Sequence, residues 1–296
     1  MRLILVKSMI LSLINQSVIQ AALICALLLA WSGGLEAHEG QSERIERLDQ
    51  RIIDQPTDPR LFLERAEMHR ICRHWRSAER DYRRASELDP DLAVIDLAKA
   101  TMWNDASMSA KALPLLTRYL DREPSDPRGY RELARTLRIT GDLAAAAAAF
   151  TRTAELSESP APELFAAWSD CLREAGRNAE ALKVVENGIR KVGPAVSLEK
   201  RAIKLELALG LNDAALVRID GMLALSSRKE TLLLEKSHIL ADIGRTAEAL
   251  IVVRKARGEL NKQAEHRRLS GYGRQLSSQI ETLETELIKE QTPENS

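Results

Sequence analysis

The chain has 296 residues, with 43 Lys and Arg against 43 Asp and Glu, so its formal net charge is zero. This balance excludes the positive surplus that proteins use to neutralise nucleic-acid phosphates, and no nucleic-acid partner is expected. Three cysteines are too few for a disulfide scaffold. Abundant Ala, Leu, Arg and Glu, with only 14 Gly and 10 Pro, are typical of an all-helical protein.

The N-terminal segment differs from the rest of the sequence. Arg2 and Lys7 are followed by 28 residues, Ser8 to Leu35, that carry no charge. A short positive region ahead of an apolar stretch is typical of a secretory signal peptide. The sequence therefore predicts a signal peptide in residues 1–37 and export to a bacterial periplasm or envelope.

An uncleaved membrane anchor is the alternative for this segment. Residues 10–31 form a stretch of 22 residues, which as a helix is long enough to span about 30 Å of hydrocarbon. Asn15, Gln16, Ser17 and Gln20 make this stretch less apolar than most membrane spans. A membrane is thus expected as a partner only if the segment stays attached.

Residues 38–58 are expected to contain a helix that caps the fold. Ile45, Leu48 and Ile52 lie three or four positions apart, with Ile53 beside them. That spacing puts apolar side chains on one face of a helix. We expect this face to cover the apolar end of the structure that follows.

A fixed period organises the sequence from there to residue 261. Glycines between amphipathic segments recur at intervals of 35, 34 and 34 residues. They are Gly141, Gly176, Gly210 and Gly244. Self-similarity at this period is typical of a repeat protein, and we predict six repeats over residues 59–261.

Small and bulky residues follow each turn in the same order. An alanine stands five residues after each glycine, and the register extends back through two further repeats. The alanines are Ala78, Ala112, Ala146, Ala181, Ala215 and Ala249. Four positions later stand Tyr82, Leu116, Phe150, Val185, Ile219 and Val253. An alanine lets two helices approach closely, and the bulky residue fills the space beside it.

The first repeat resembles the tetratricopeptide-repeat family. Its matching residues are Phe62, Ala66, Ala78, Tyr82, Ala85 and Pro90, with Pro124 one period after the proline. The resemblance implies an all-α fold, a right-handed α-solenoid of about six helix-turn-helix repeats with capping helices. It also implies a concave groove, lined by the first helix of each repeat, that binds proteins or peptides.

Repeat two departs from this pattern. Asn104, Asp105 and Ala106 stand where a turn glycine is expected to follow, and Pro114 lies early in the second helix. We therefore expect an irregular inner turn in this repeat.

Residues 262–296 are expected to form a C-terminal cap and a short disordered tail. Leu276, Ile280, Leu283 and Leu287 recur at helical spacing on a segment whose other residues are largely polar. A helix with this stripe would cover the apolar face of the last repeat. A coiled-coil dimer seam is the alternative, although the stripe covers fewer than three heptads.

The sequence contains no phosphate-binding loop, no His-Glu-x-x-His motif and no nucleophile elbow. We predict that the protein is not an enzyme and needs no cofactor. The cluster of metal-competent side chains is His69, Cys72 and His74. His69 takes the register position held by Leu172 and Leu240 in other repeats, so a packing role is favoured over metal binding.

Basic side chains concentrate on the first helices of repeats three to five. Residues one period apart form columns along a solenoid, and one such column places Arg138 beside Arg173. The full basic set is Arg131, Arg135, Arg138, Arg173, Lys200 and Lys204. We predict that this set binds an acidic protein or peptide partner. A solvated salt-bridge ladder is the alternative, with Asp170 between Arg135 and Lys204 and with Glu174, which stands outside the column, compensating Arg138 and Arg173.

Three functions are compatible with these features. The favoured one is an exported, non-catalytic scaffold or adaptor that binds a partner segment in a locally basic groove. A metal or redox accessory protein would instead use His69, Cys72 and His74. A membrane-tethered structural component would keep residues 10–31 as its anchor.

Overall fold

Helices joined by short turns make up the regular structure of the computed structural model, which describes residues 40–291. No strand occurs within this range. The helices are α1 (40–54), α2 (Pro59–Ile71), α3 (Trp75–Leu88), α4 (Val94–Asp105), α5 (Leu113–Arg122), α6 (Pro127–Thr140), α7 (Leu143–Leu156), α8 (Pro162–Glu174), α9 (Asn178–Val192), α10 (Val196–Ala208), α11 (Asn212–Leu225), α12 (Glu230–Asp242), α13 (Thr246–Asn261), α14 (Glu265–Arg268) and α15 (Gly271–Gln291).

Consecutive helix pairs, from α2 with α3 to α12 with α13, coincide with the six predicted repeats. They run from Pro59 to Asn261. The all-α fold of helix-turn-helix repeats that the sequence predicts is thus confirmed.

The small and bulky positions of the register form the packed interior of the repeats. All six alanines have a relative exposure of 0%. The bulky residues that follow them are at most 3% exposed. Since interiors are close-packed, a residue larger than alanine at the first position would push neighbouring helices apart.

The turn inside each repeat places one residue in the left-handed region of backbone space. The glycines of repeats three to six have φ values between 72° and 92° at this position. Glycine adopts such angles without the steric cost that a Cβ atom brings. Arg73 and Ser107, each with φ of 59°, hold the same position in repeats one and two. The glycine spacing could not reveal these two turns.

Repeat two is irregular, as predicted. A 3₁₀ helix, Ser109–Lys111, follows its inner turn. The second helix, α5, has only 10 residues and carries Pro114 in its first turn, where the missing N–H is not needed.

The described residues divide into two compact units at the junction of Thr136 and Leu137, inside α6. In the first unit, α2 to α5 share one apolar core that fully buries Tyr82, Met102 and Tyr119.

The N-terminal helix α1 covers part of this first core. Leu48 is buried, and Ile52 packs against the core residues. Ile53 is 70% exposed, so it does not contribute to this contact.

In the second unit, the long helix α15 packs on the last repeat. Leu276, Ile280, Leu283 and Leu287 are all buried, in one cluster with Val253, Ala256 and Leu260 of α13. The apolar stripe of α15 is therefore occupied by contacts within the same chain.

The predicted signal peptide or anchor, residues 1–37, and the predicted tail at residues 292–296 lie outside the described residues. Among residues 40–291, no helix has the length and apolar character that crossing a membrane requires.

Candidate functional site

A cavity of about 540 Å³ in the second unit is lined by α8 and α10, the first helices of repeats four and five. Three of the six predicted basic residues line it: Arg173, Lys200 and Lys204. The remaining polar lining is Ser169, Asp170, Ser197 and Arg201. We call this cavity the basic pocket.

Helical spacing brings the basic side chains of α10 to one face. Ser197, Lys200, Arg201 and Lys204 lie three or four positions apart, which places them on adjoining turns. Leu198 of the same helix is fully buried in the core. Burial of that residue fixes the rotation of α10, so the basic face is directed into the pocket.

One ion pair joins the two walls of the basic pocket. Nη2 of Arg201 donates to Oδ2 of Asp170 at 2.8 Å. Nε of Arg201 is buried and has no hydrogen-bond partner within the described part of the chain. Among the described residues of the lining, Asp170 is the one acidic side chain, and it is engaged, while Arg201 keeps an unused donor.

Two cations of the pocket form no ion pair within the described residues. Arg173 and Lys204 are exposed, and neither forms an ion pair with any residue between 40 and 291. Nζ of Lys200 lies 3.4 Å from the Glu235 carboxylate, a longer and more exposed pairing. Four basic side chains against one carboxylate leave the pocket with an excess of positive charge.

The other predicted basic residues are placed differently. Arg135 donates to Asp105 at 2.7 Å and to Glu132 at 3.2 Å. Arg138 forms two hydrogen bonds with Glu174, at 2.9 and 2.8 Å. That contact lowers the pKa of Glu174, because it stabilises the carboxylate. Both arginines therefore have structural ion pairs.

Ion pairs between neighbouring repeats do occur, as the salt-bridge alternative expects, but Asp170 does not pair with Arg135 or Lys204. Asp170 pairs with Arg201, and Arg135 pairs with Asp105 and Glu132 within the first unit. Arg131 is exposed and has no ion pair in the described residues.

His69, Cys72 and His74 do not converge on a metal site. The imidazole centroids lie 5.9 Å apart, and the Cys72 thiol donates to the Gln41 side chain at 3.1 Å. Wherever the structure describes the chain, no three His, Cys, Asp or Glu side chains are placed to hold a metal ion. His69 has 16% of its side chain exposed, and burial lowers its pKa.

Sequence columns missed two parts of the basic pocket. Arg201 stands one position beyond the column that contains Lys200, and Ser169 is one position before the column that contains Asp170. The helical face from Ser197 to Lys204 was the signal that could have identified Arg201.

The sequence matches no protein-family model and no curated protein. Solved structures do resemble the chain. PilW, a type IV pilus biogenesis factor, has a TM-score of 0.56 at 17% identity, over 66% of this chain and 91% of that one. A tetratricopeptide-repeat protein from Parabacteroides merdae has a TM-score of 0.51 at 15% identity, over 84% and 92% of the two chains.

Yeast Tom70 has a TM-score of 0.52 at 15% identity and matches 73% of this chain. This chain spans 46% of the Tom70 structure, less than half of its length. Together with the buried register, these likenesses show that the chain has the tetratricopeptide-repeat fold.

Proposed function

We propose that the protein is a non-catalytic scaffold that binds an acidic segment of a partner protein in the basic pocket. The observation that carries this proposal is the pairing state of Arg173 and Lys204. They come from two adjacent first helices, line one cavity and form no ion pair in the described residues. A carboxylate that binds there would accept charge-assisted hydrogen bonds from both.

The rest of the lining supports binding rather than chemistry. The Ser169 hydroxyl donates to the carbonyl of Ala166 at 2.9 Å, so it is used within its own helix. Asp170, the one potential general base, is held by Arg201. Neither histidine nor cysteine is among the residues between 40 and 291 that line the pocket. The pocket therefore offers hydrogen-bond donors but no activated nucleophile.

Export to a bacterial periplasm or envelope is part of the proposal. It rests on the positive and apolar pattern of residues 1–37. N-terminal sequencing of protein isolated from its native cells tests it. A mature N-terminus at or shortly before residue 38 supports export with cleavage, and an intact Met1 contradicts cleavage.

The binding proposal is tested with a fluorescein-labelled peptide of eight alternating Glu and Gly residues. Fluorescence anisotropy would measure its Kd for the wild-type protein and for the Arg173→Gln/Lys204→Gln variant. We expect the double substitution to weaken binding by about 1.5–3 kcal/mol for each lost charge-assisted bond. The wild-type affinity should also fall as salt rises, because exposed charges are screened.

A matched control removes two cations elsewhere. Lys183 and Arg190 are exposed on α9, outside the basic pocket, and neither forms an ion pair in the described residues. The Lys183→Gln/Arg190→Gln variant has the same net charge as the pocket variant. Equal loss of affinity in both variants would mean that net charge, not the pocket, attracts the peptide.

A further inference from the structure

A second cavity of the same unit has an apolar lining. It measures about 820 Å³ and is formed by α10, α11 and the start of α12. Val196, Val217 and Leu225 line it, and they are 63%, 71% and 81% exposed. Apolar side chains so exposed within one concave surface are typical of an interaction site. We call it the apolar cavity.

The apolar face of α11 is not a requirement of the repeat. On α11, helical spacing aligns Ala214, Val217, Gly221 and Leu225 along the cavity. The matching positions of α9, one period earlier, hold Glu180, Lys183, Asn187 and Lys191. Since α9 packs as a second helix with a polar outer face, α11 carries its apolar face for another reason.

The polar groups of the apolar cavity are already paired. Arg218 donates to Glu206 at 2.6 Å through Nη2 and to Glu199 at 2.9 Å through Nη1. Glu206 is buried, with 4% of its side chain exposed. A bound segment therefore meets few unpaired polar groups here, and the cavity favours apolar side chains.

The apolar cavity and the basic pocket adjoin each other at Lys200, which lines both. On α10, Val196 lines the apolar cavity and Lys204 lines the basic pocket. A helix is about 10 Å across, and an extended chain covers about 3.3 Å per residue. A segment that passes over α10 therefore needs about three residues between its apolar and its acidic parts.

We propose that the partner segment is a two-part motif, with apolar residues that occupy the apolar cavity and acidic residues that pair with Arg173 and Lys204. This inference rests on the proposed function of the basic pocket and adds its specificity. Charge complementarity selects the occupant. Because Arg173 and Lys204 lie beside the apolar cavity and form no ion pair in the described residues, a segment with carboxylates before or after its apolar residues would complement both surfaces.

The probe is a fluorescein-labelled peptide with three leucines, a Gly-Ser-Gly spacer and four glutamates, in both block orders. Its counterpart has serines in place of the leucines. We expect the wild-type protein to bind one order about ten-fold more tightly than its serine counterpart, because leucine side chains become buried. The Val217→Ser/Leu225→Ser variant should lose this preference.

The control variant is Ile139→Ser/Ile251→Ser, which replaces two residues that are 54% and 56% exposed outside the cavity. It should keep the ten-fold preference. Loss of the preference in both variants would contradict the assignment of the apolar cavity.

Different results would overturn the two-part motif and the basic pocket. Equal affinity for leucine and serine peptides, with both weakened by Arg173→Gln/Lys204→Gln, overturns the two-part motif and keeps the basic pocket. Absence of binding by every peptide overturns both. Sedimentation equilibrium tests another occupant: self-association that Val217→Ser/Leu225→Ser abolishes would assign the cavity to a second copy and overturn the motif.

Discussion

Alanine at the start of each second helix is fully buried in the packed interior of its repeat. Ala181 is 0% exposed within the cluster that also contains Phe165 and Val185. Two residues earlier in the same helix, Ala179 is exposed. The two alanines therefore lie in the same helix but differ in burial.

The Ala181→Leu substitution should destabilise the protein by about 1–3 kcal/mol, because three extra heavy atoms have no space in the packed interior. Ala179→Leu should change stability by less than about 0.5 kcal/mol. Urea unfolding followed by circular dichroism measures both. Equal midpoints for Ala181→Leu and the wild-type protein would refute the packing register.

Glycine has a steric role at Gly188 of α9. A Cβ atom there would lie 2.7 Å from Cγ of Phe165, whose side chain is fully buried. Gly188→Ala should therefore destabilise the protein by about 1–3 kcal/mol.

Gly258 of α13 provides the opposite case, since a Cβ atom added there meets no heavy atom within 4 Å. Gly258→Ala should stabilise the protein by about 0.5–1 kcal/mol through helix propensity. Thermal unfolding of the two variants tests this contrast. If both variants were less stable than the wild-type protein, the contact with Phe165 would not explain the effect at Gly188.

The ion pair between Arg138 and Glu174 predicts a pH dependence. Because its pKa in the folded protein is below the ordinary value of 4.5, Glu174 adds stability above that value. The contribution is lost as pH falls through the lowered pKa. With 36% of the Glu174 side chain exposed, we expect at most about 1 kcal/mol.

In the Arg138→Gln variant, the pKa of Glu174 should rise towards its ordinary value. A ¹³C NMR titration of the Glu174 carboxyl measures this directly. An unchanged pKa in the variant would exclude the hydrogen bond from Arg138 as the cause.

Among the helices, α15 caps the last repeat. Its four buried apolar residues cover Val253, Ala256 and Leu260 of α13. A variant that ends at Ser270 loses this helix and exposes the apolar face of the last repeat. We expect it to aggregate, and size-exclusion chromatography with light scattering would detect this. A variant that ends at Gln291 keeps α15 and is the control; a soluble, monomeric Ser270 variant would contradict the capping role.

The helices themselves could be predicted well from the sequence, because the repeat register specifies both period and burial. Glycine marks the inner turn only in repeats three to six, whereas the alanine register located repeats one and two as well. Arg73 and Ser107 adopt left-handed φ angles although L residues rarely do so. A search for glycine does not detect such turns.

At the scale of the whole molecule, the sequence predicted the basic character of the site better than its pairing. Arg173, Lys200 and Lys204 line one pocket, as their columns suggested. Arg138 pairs with Glu174, the acid outside its column that the salt-bridge alternative had named. The columns show which positions of successive repeats are equivalent. They do not show which side chains pair, because a long basic side chain extends several ångströms and can contact an acid outside its own column.

In the proposed function, the basic pocket holds an acidic segment of a partner. Photo-crosslinking tests it most directly in the full chain, with p-benzoylphenylalanine at Ser197, an exposed pocket residue whose replacement keeps all four cations. Mass spectrometry would then identify the attached peptide. We expect one crosslinked partner segment rich in Asp and Glu. This crosslink should be lost in the Arg173→Gln/Lys204→Gln background and absent when the photoprobe replaces Arg190. The same crosslinks from both positions, or an attached segment without acidic residues, would contradict it.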